Sequence, residues 1–241
     1  MRTRSCASSR SGGSDRGGLT VGGRLRTVRL GACEVDIFPT VKGLERERKP
    51  VREAILEVRP EVVALPVSAE GLRGLRAIWK GKEPEFFLSH YEEIYAVKLA
   101  RYGKVCVPPP SFTEAYSVAA GEGIPIRAID LDETRFSDAF VQSISTSNLI
   151  YHSLRWRWLK RKRFDLPTAR EFSLAWDRAI NSLKGFRNLE NKREEHMARE
   201  LGRLCARHRK VLAIIELERM EGILARLSTI DLKSLQKDEE E

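Results

Sequence analysis

At 241 residues, with 41% apolar, 32% charged and 7% aromatic side chains, the chain can bury one substantial, mainly aliphatic core. It lacks the run of roughly 20 apolar residues that a membrane-crossing helix needs, and its four cysteines are scattered without C-x-x-C or Cys/His spacing, which argues against structural zinc. A net charge of +9 permits acidic partners without specifying one, and a reduced, cytoplasmic protein is the expectation.

Residues 1–24, "MRTRSCASSRSGGSDRGGLTVGGR", are mostly Ser, Gly and Arg. Such a segment cannot repay its ordering entropy and is expected to be a disordered basic tail. A single α/β domain is expected over 25–228, followed by an acidic tail over 229–241.

Five runs then read as strands: "RTVRLGACEV", "PEVVALPV", "GKVCVPP", "GIPIRAID" and "RKVLAIIEL". Each is aliphatic or β-branched with little alternation, as in strands buried on both faces. Helical patterns lie between them in "VREAILEV", "EEIYAVKLARYG", "SFTEAYSVAAGEG" and "NKREEHMARELGRLCARHRK". Gly103 and Gly121 or Gly123 supply helix stops, and Ser111 followed by Glu114 has capping-box spacing. The alternation predicts a layered α/β sandwich with a mostly parallel central sheet and helices on both faces. Residues 132–190 break the rhythm and read as a helical insertion within that domain.

Ligands of open α/β sheets collect at the carboxyl ends of strands. The predicted strands put Glu34 and Asp36, Pro66 and Ser68, Pro108 to Ser111, Asp130 and Asp132, and Glu216 to Arg219 at such ends. Carboxylates gathered there suit Mg²⁺ or Mn²⁺, although carboxylates after strands also serve as caps and solvated turns. The four histidines, His90, His152, His196 and His208, form no metal-ligand pair. No G-x-S-x-G elbow, phosphate loop or dinucleotide fingerprint occurs, which disfavours serine hydrolases, nucleotide hydrolases and Rossmann dehydrogenases. "RWRWLKRKR" at 155–163 interleaves cations with two indoles, a composition that could bind nucleic acid; equally, Trp158 could anchor the helix to the core with arginine stems alongside.

Five stretches carry a further pattern: "LGACEVD", "LEVRPEVVALPVSAEGL", "PSFTEAYSVAAGEGIPIRAIDLD", "NKREEHMARELGRL" and "KVLAIIELERMEGILARL". In order and spacing they resemble the TraB/PrgY family, grouped with erythromycin-esterase-like and Tiki-type proteins. Those proteins begin with a strand ending in G-T-x-H and a helix, then a strand after R-P-D/E with a V-E-x-S-like end. A glutamate-bearing helix, a strand with a terminal Asp, an R-x-x-x-M-A helix and a closing G-H-x-x-G-I/L turn follow. The likeness spans about residues 26–228.

The resemblance implies a metal-dependent hydrolase or protease ancestry with His and Glu near the sheet edge. With "LGACEVD" set against the first motif, Glu34 stands at its His position, Pro66 at the second-strand Glu position and Arg219 at the closing His position. Gly31, Glu114, Asp130, Arg193, Met197 and Glu221-Gly222-Ile223 persist. The implied site is therefore a degenerate one, with Glu34, Glu114 and Arg219 at catalytic positions, Asp36, Asp130 and Arg193 as ligand-binding residues, and no bound metal. Arg219 is expected to project beside Glu34, paired with Glu34 or Asp130, and the domain to bind a peptide or small anionic ligand. Two alternatives stay open: an active hydrolase or peptidase with an oxygen-only Mn²⁺ or Mg²⁺ site of Glu34, Asp36, Glu114 and Asp130, and nucleic-acid binding through 155–163. Self-association is compatible with the sequence and not specified by it.

Overall fold

The computed structural model describes residues 6–7, 21–83 and 88–230. Most of the expected basic tail, and residues 231–241 of the acidic one, lie outside the described residues.

The middle layer is a five-stranded sheet of β1 (Arg26–Leu30), β2 (Cys33–Thr40), β3 (Val62–Leu65), β4 (Ile126–Ala128) and β5 (Lys210–Glu216). Their spatial order is β1-β2-β5-β3-β4; only the β1–β2 pair is antiparallel. The helices are α1 (Arg48–Val58), α2 (Ala69–Trp79), α3 (His90–Leu99), α4 (Pro110–Gly121), α5 (Glu133–Ser143), α6 (Thr146–Arg161), α7 (Ala169–Ile180), α8 (Lys184–Arg207) and α9 (Met220–Leu227). One face of the sheet buries Phe38, Val63, Leu65, Leu212 and Ile214 against Val51, Ile55, Leu75, Phe112 and Ala115 of α1, α2 and α4. The other buries Val35, Ile37, Ala64, Val211 and Ala213 against Met197, Leu201 and Ile223 of α8 and α9. The chain is thus a three-layer α/β sandwich with a mostly parallel sheet.

The first predicted strand is two strands. Leu30 pairs with Cys33 across the two-residue loop Gly31-Ala32, and Gly31 has a φ of 60°, the glycine-first geometry of a tight hairpin. The chain reverses at "LGAC", so the parallel strand begins near Glu34 and ends at Thr40. Pro39 lies inside it. β1 pairs with β2 only as far as Ile37, so Pro39 sits where the strand has lost one neighbour and a proline is tolerated.

The third predicted strand is not in this sheet. Val105–Cys106 pairs antiparallel with Cys6–Ala7, and Val105 bridges Leu44. Pro108, Pro109 and Pro110 follow and offer no N–H with which to extend the ladder. The end of the supposed tail is also folded: Arg24, at the close of the helical turn Val21–Arg24, pairs with Glu47 at 2.5 Å and donates to the Pro39 carbonyl at 2.7 Å. The expected boundary at residue 25 therefore falls too late.

The predicted capping box at Ser111 and Glu114 does not form. α4 begins at Pro110 with Pro109 as its cap, which leaves Ser111 already inside the helix. Capping boxes occur instead at Ser89–Glu92 and Thr168–Glu171. The stretch 132–190 is helical. Its α6 and α7 join α3 around Leu99, Leu159, Phe172 and Trp176, against Val41, Leu44 and Leu217 of the loops leaving β2 and β5. This second core roofs the carboxyl end of the sheet.

Candidate functional site

The register separates the two residues expected to meet. Glu34 lies beside Lys210 at the start of β5, and Thr40 lies beside Glu216 at its end. At about 3.3 Å per residue, the length of β5 places Glu34 roughly 20 Å from the turn that carries Arg219. Glu34 is a surface carboxylate with Arg29 at 3.7 Å and Lys210 at 3.8 Å. Asp36 is buried within the hairpin and accepts from the Thr27 hydroxyl at 2.5 Å. Glu114 is on α4, held by Arg52 at 2.5 Å and Arg48 at 3.2 Å. It borders a cavity of about 370 Å³ lined by Leu75, Ile78, Trp79 and Pro108.

Glu34, Asp36, Glu114 and Asp130 are therefore not assembled into an oxygen-ligand site. Among the described residues, no group of three or more His, Cys, Asp or Glu side chains could hold a metal ion.

Arg219, Arg193 and Asp130 do come together, with partners that lie far apart in the chain. The turn Leu217–Arg219 follows β5 and buries Arg219 to 4% exposure. Its Nη1 lies 3.0 Å from Glu194 and 3.1 Å from Glu190, and its Nη2 contacts Asp177 of α7. Arg193, one helical turn from Glu190, spans Glu190 at 2.8 Å and Asp130 at 2.5 Å. A second Arg193 hydrogen bond, Nε to Asp130 at 3.3 Å, makes that contact bidentate, the strong form of an Arg–carboxylate pair. Arg226 of α9 closes the chain on Glu194 at 2.9 Å. Beside it, Lys42 from the loop after β2 meets Glu216 at 2.9 Å.

Arg219 thus pairs with Asp177, Glu190 and Glu194, not with Glu34 or Asp130. Asp130 belongs to Arg193. Glu216 was already placed at a strand end by the sequence; of the missed members, Lys42, Asp177, Glu190 and Glu194, only the two glutamates of α8 had a signal there. Glu190, Arg193, Glu194 and Met197 recur at helical spacing on the face of α8 that packs on the sheet, and charges on a core-facing stripe need partners.

Burial and pairing oppose each other in this network. Burial would push the Glu216 carboxyl up, but Lys42 and Arg193 outweigh it and hold it below its ordinary range. Glu216 in turn raises Lys42 against desolvation, which keeps the amine charged. Burial dominates at Asp177 and Glu194, whose carboxyls are raised although Arg219 pulls each down. Glu218, half-buried in the same turn, is pushed up to about 7 by burial and by Glu216. Its carboxylate accepts from Ser173 at 3.2 Å, and Ser173 meets the Tyr95 hydroxyl at 3.2 Å. The arrangement is a shut ionic cluster at the carboxyl ends of β2, β4 and β5. Lys42 is its most open cation, with 42% of its side chain exposed.

Comparison with known proteins gives no name to this arrangement: no family model matches the chain, and no curated protein matches it.

Proposed function

We propose that the chain is a non-hydrolytic binding domain on a TraB/PrgY-like scaffold, with an anionic peptide or small anion as its target. The strand that leads into a helix is β2, which ends at Pro39-Thr40 and runs on into the loop residues Val41-Lys42. Set against G-T-x-H, this end keeps the threonine and puts Lys42, not Glu34, at the imidazole position. Arg219 stands at the other imidazole position, after β5.

One observation carries the reading: cations from these two positions, Lys42 and Arg219, are fixed by carboxylates at the sheet edge where a divalent ion would need those same oxygens. Neither cation has a lone pair to offer a metal. The exposed side of Lys42 is where an anionic group would dock. A reducing cytoplasm suits the free thiols of Cys33 and Cys205, which lie in hydrogen-bond contact inside the core.

Thermal shift with Mn²⁺ or Mg²⁺ tests the proposal. The unaltered chain is expected to show no saturable stabilisation and to cleave no peptide with either metal. The double variant Lys42→His, Arg219→His supplies two imidazoles and is expected to gain metal-dependent stabilisation. An acidic peptide is expected to bind at least tenfold more weakly to Lys42→Met. Saturable metal stabilisation of the unaltered chain with metal-dependent hydrolysis would overturn the proposal, as would peptide binding unchanged by Lys42→Met.

A further inference from the structure

Helix α6 offers water what a buried helix conceals. Leu149, Ile150, Tyr151, Leu154 and Trp158 are all large, apolar and 44–62% exposed. Ile150, Leu154 and Trp158 recur every fourth residue, with Tyr151 beside them, so four of these side chains form one stripe along the helix. The inward face is made by other residues: Leu159 is fully buried, and Trp156 packs on the second core and against His90 at 5.1 Å. Trp156, not Trp158, is the indole that anchors the helix.

A cationic recess adjoins the stripe. Arg155, Lys162, Arg163 and Arg178 line a cavity of about 490 Å³ together with Phe164, Leu166 and Ala175. The one acid in its wall, Asp165, faces Arg101 at 3.9 Å. Among the described residues no ion pair engages any of the four cations of the recess. The two features meet at Trp158, with Lys162 4.7 Å and Arg155 5.4 Å from its ring centroid. Arg157, Lys160 and Arg161 flank the stripe on its exposed side.

We propose that α6 docks on an anionic lipid bilayer, its apolar stripe entering the headgroup–acyl boundary while the recess takes a lipid phosphate. Exposed aliphatic and aromatic side chains on one helix stripe, edged by Lys and Arg, are the composition of interfacial helices. Cations beside them match the negative surface of a cytoplasmic leaflet. Nucleic acid suits the stripe less well, because Leu149, Ile150 and Leu154 have no ring to stack on a base and cations already stand over Trp158. No helix of the described residues is long and apolar enough to cross a membrane, so the contact is peripheral.

Vesicle flotation of the full chain tests this, using phosphatidylcholine alone and phosphatidylcholine with 30% phosphatidylserine. Binding is expected only with the anionic lipid, with a blue shift of tryptophan emission that is lost in Trp158→Phe. Ile150→Glu/Leu154→Glu, which adds charge at exposed positions, is expected to weaken binding at least tenfold at unchanged melting temperature. Lys162→Glu/Arg163→Glu is expected to weaken it comparably. Three results would each overturn the proposal: no flotation with either vesicle; flotation indifferent to Ile150→Glu/Leu154→Glu, which would be plain adsorption of a basic chain; or single-stranded RNA binding that competes off the vesicles and is lost in the same variants. None of these readouts involves Lys42 or Arg219, so the sheet-edge proposal stands or falls separately.

Discussion

The carboxylate of Glu194 occupies the space that a side chain on Gly222 would fill. A Cβ on Gly222 would lie 1.9 Å from Glu194 Oε2 and 2.4 Å from its Cδ. That carboxylate cannot swing away freely, since Arg219 holds one oxygen and Arg226 the other, and Arg226 also donates to the Gly222 carbonyl at 2.7 Å. Helix α9 thus approaches α8 across an ion pair, with glycine as the condition of approach. Gly222→Ala is expected to destabilise the fold by roughly 2–4 kcal/mol, combining overpacking with a displaced buried charge. Urea unfolding measures it. Because the cost arises through Glu194, Gly222→Ala and Glu194→Ala are expected to be markedly non-additive.

Arg219 serves three carboxylates, Asp177 on α7 and Glu190 and Glu194 on α8. Arg219→Met keeps the volume and removes the charge, which leaves Asp177, Glu190 and Glu194 facing one another in a low-dielectric site. The expected loss is roughly 3–5 kcal/mol, the cost of breaking a buried pair by removing one partner. Arg219→Lys should recover little, because one ammonium cannot present the planar fork that reaches carboxylates on both α7 and α8. Burial already raises the carboxyls of Asp177 and Glu194, so their protonation relieves the repulsion and the deficit is expected to shrink as the assay pH is lowered from 8 to 5. Equal deficits across that range would show that lost packing, not lost charge, is responsible.

Much of the sheet was legible and its first edge was not, for reasons visible in particular residues. β3 and β5 are uninterrupted aliphatic runs because each has a neighbour on both sides and a helix on each face. β2 is buried to the same degree but carries Asp36, hidden by a hydrogen bond from Thr27, and Pro39, tolerated past the end of β1. Those two residues make a central strand look like a strand end followed by a turn. The reversal at Gly31 then assigned Glu34 to the wrong edge of the sheet. Asp130 and Arg219 were singled out because each follows a predicted strand, and Arg193 only because the family resemblance includes its helix. Lys42 and Asp177 contribute through tertiary contacts alone, and local spacing does not announce those.

Glu114 and Asp130 looked alike as carboxylates near strand ends, yet their settings predict different costs. Glu114 is held by Arg48 and Arg52, whose side chains are 39% and 56% exposed. Glu114 itself is buried, but water takes over those exposed guanidiniums once its carboxylate is gone, so Glu114→Ala is expected to cost about 1 kcal/mol or less. The partner of Asp130, Arg193, is only 18% exposed. Asp130→Ala is expected to cost at least twice as much, because it strips a bidentate partner from a cation that water reaches poorly. Parallel urea titrations of the two variants compare them directly, and equal losses would refute the distinction.

Glu218 gives the stability a pH dependence of definite sign. Burial and the neighbouring Glu216 raise its carboxyl to about 7 from an ordinary 4.5, so the folded chain binds this proton more tightly than the unfolded chain. Its contribution is then fully present below about pH 4.5 and is lost as pH rises through about 7. At about 1.4 kcal/mol per pH unit the ceiling is roughly 3 kcal/mol, reduced by whatever water reaches the half-buried group. Asp177 and Glu194 are shifted in the same direction, while Glu216 is lowered and acts oppositely at acid pH. The informative quantity is therefore the difference between two proteins. Glu218→Gln keeps the shape and an acceptor for the Ser173 hydroxyl but cannot ionise. Its melting temperature is expected to match the unaltered chain near pH 5 and exceed it near pH 8. A variant that melts lower than the unaltered chain at pH 8 would mean that the ionised carboxylate stabilises the fold, contrary to the burial argument.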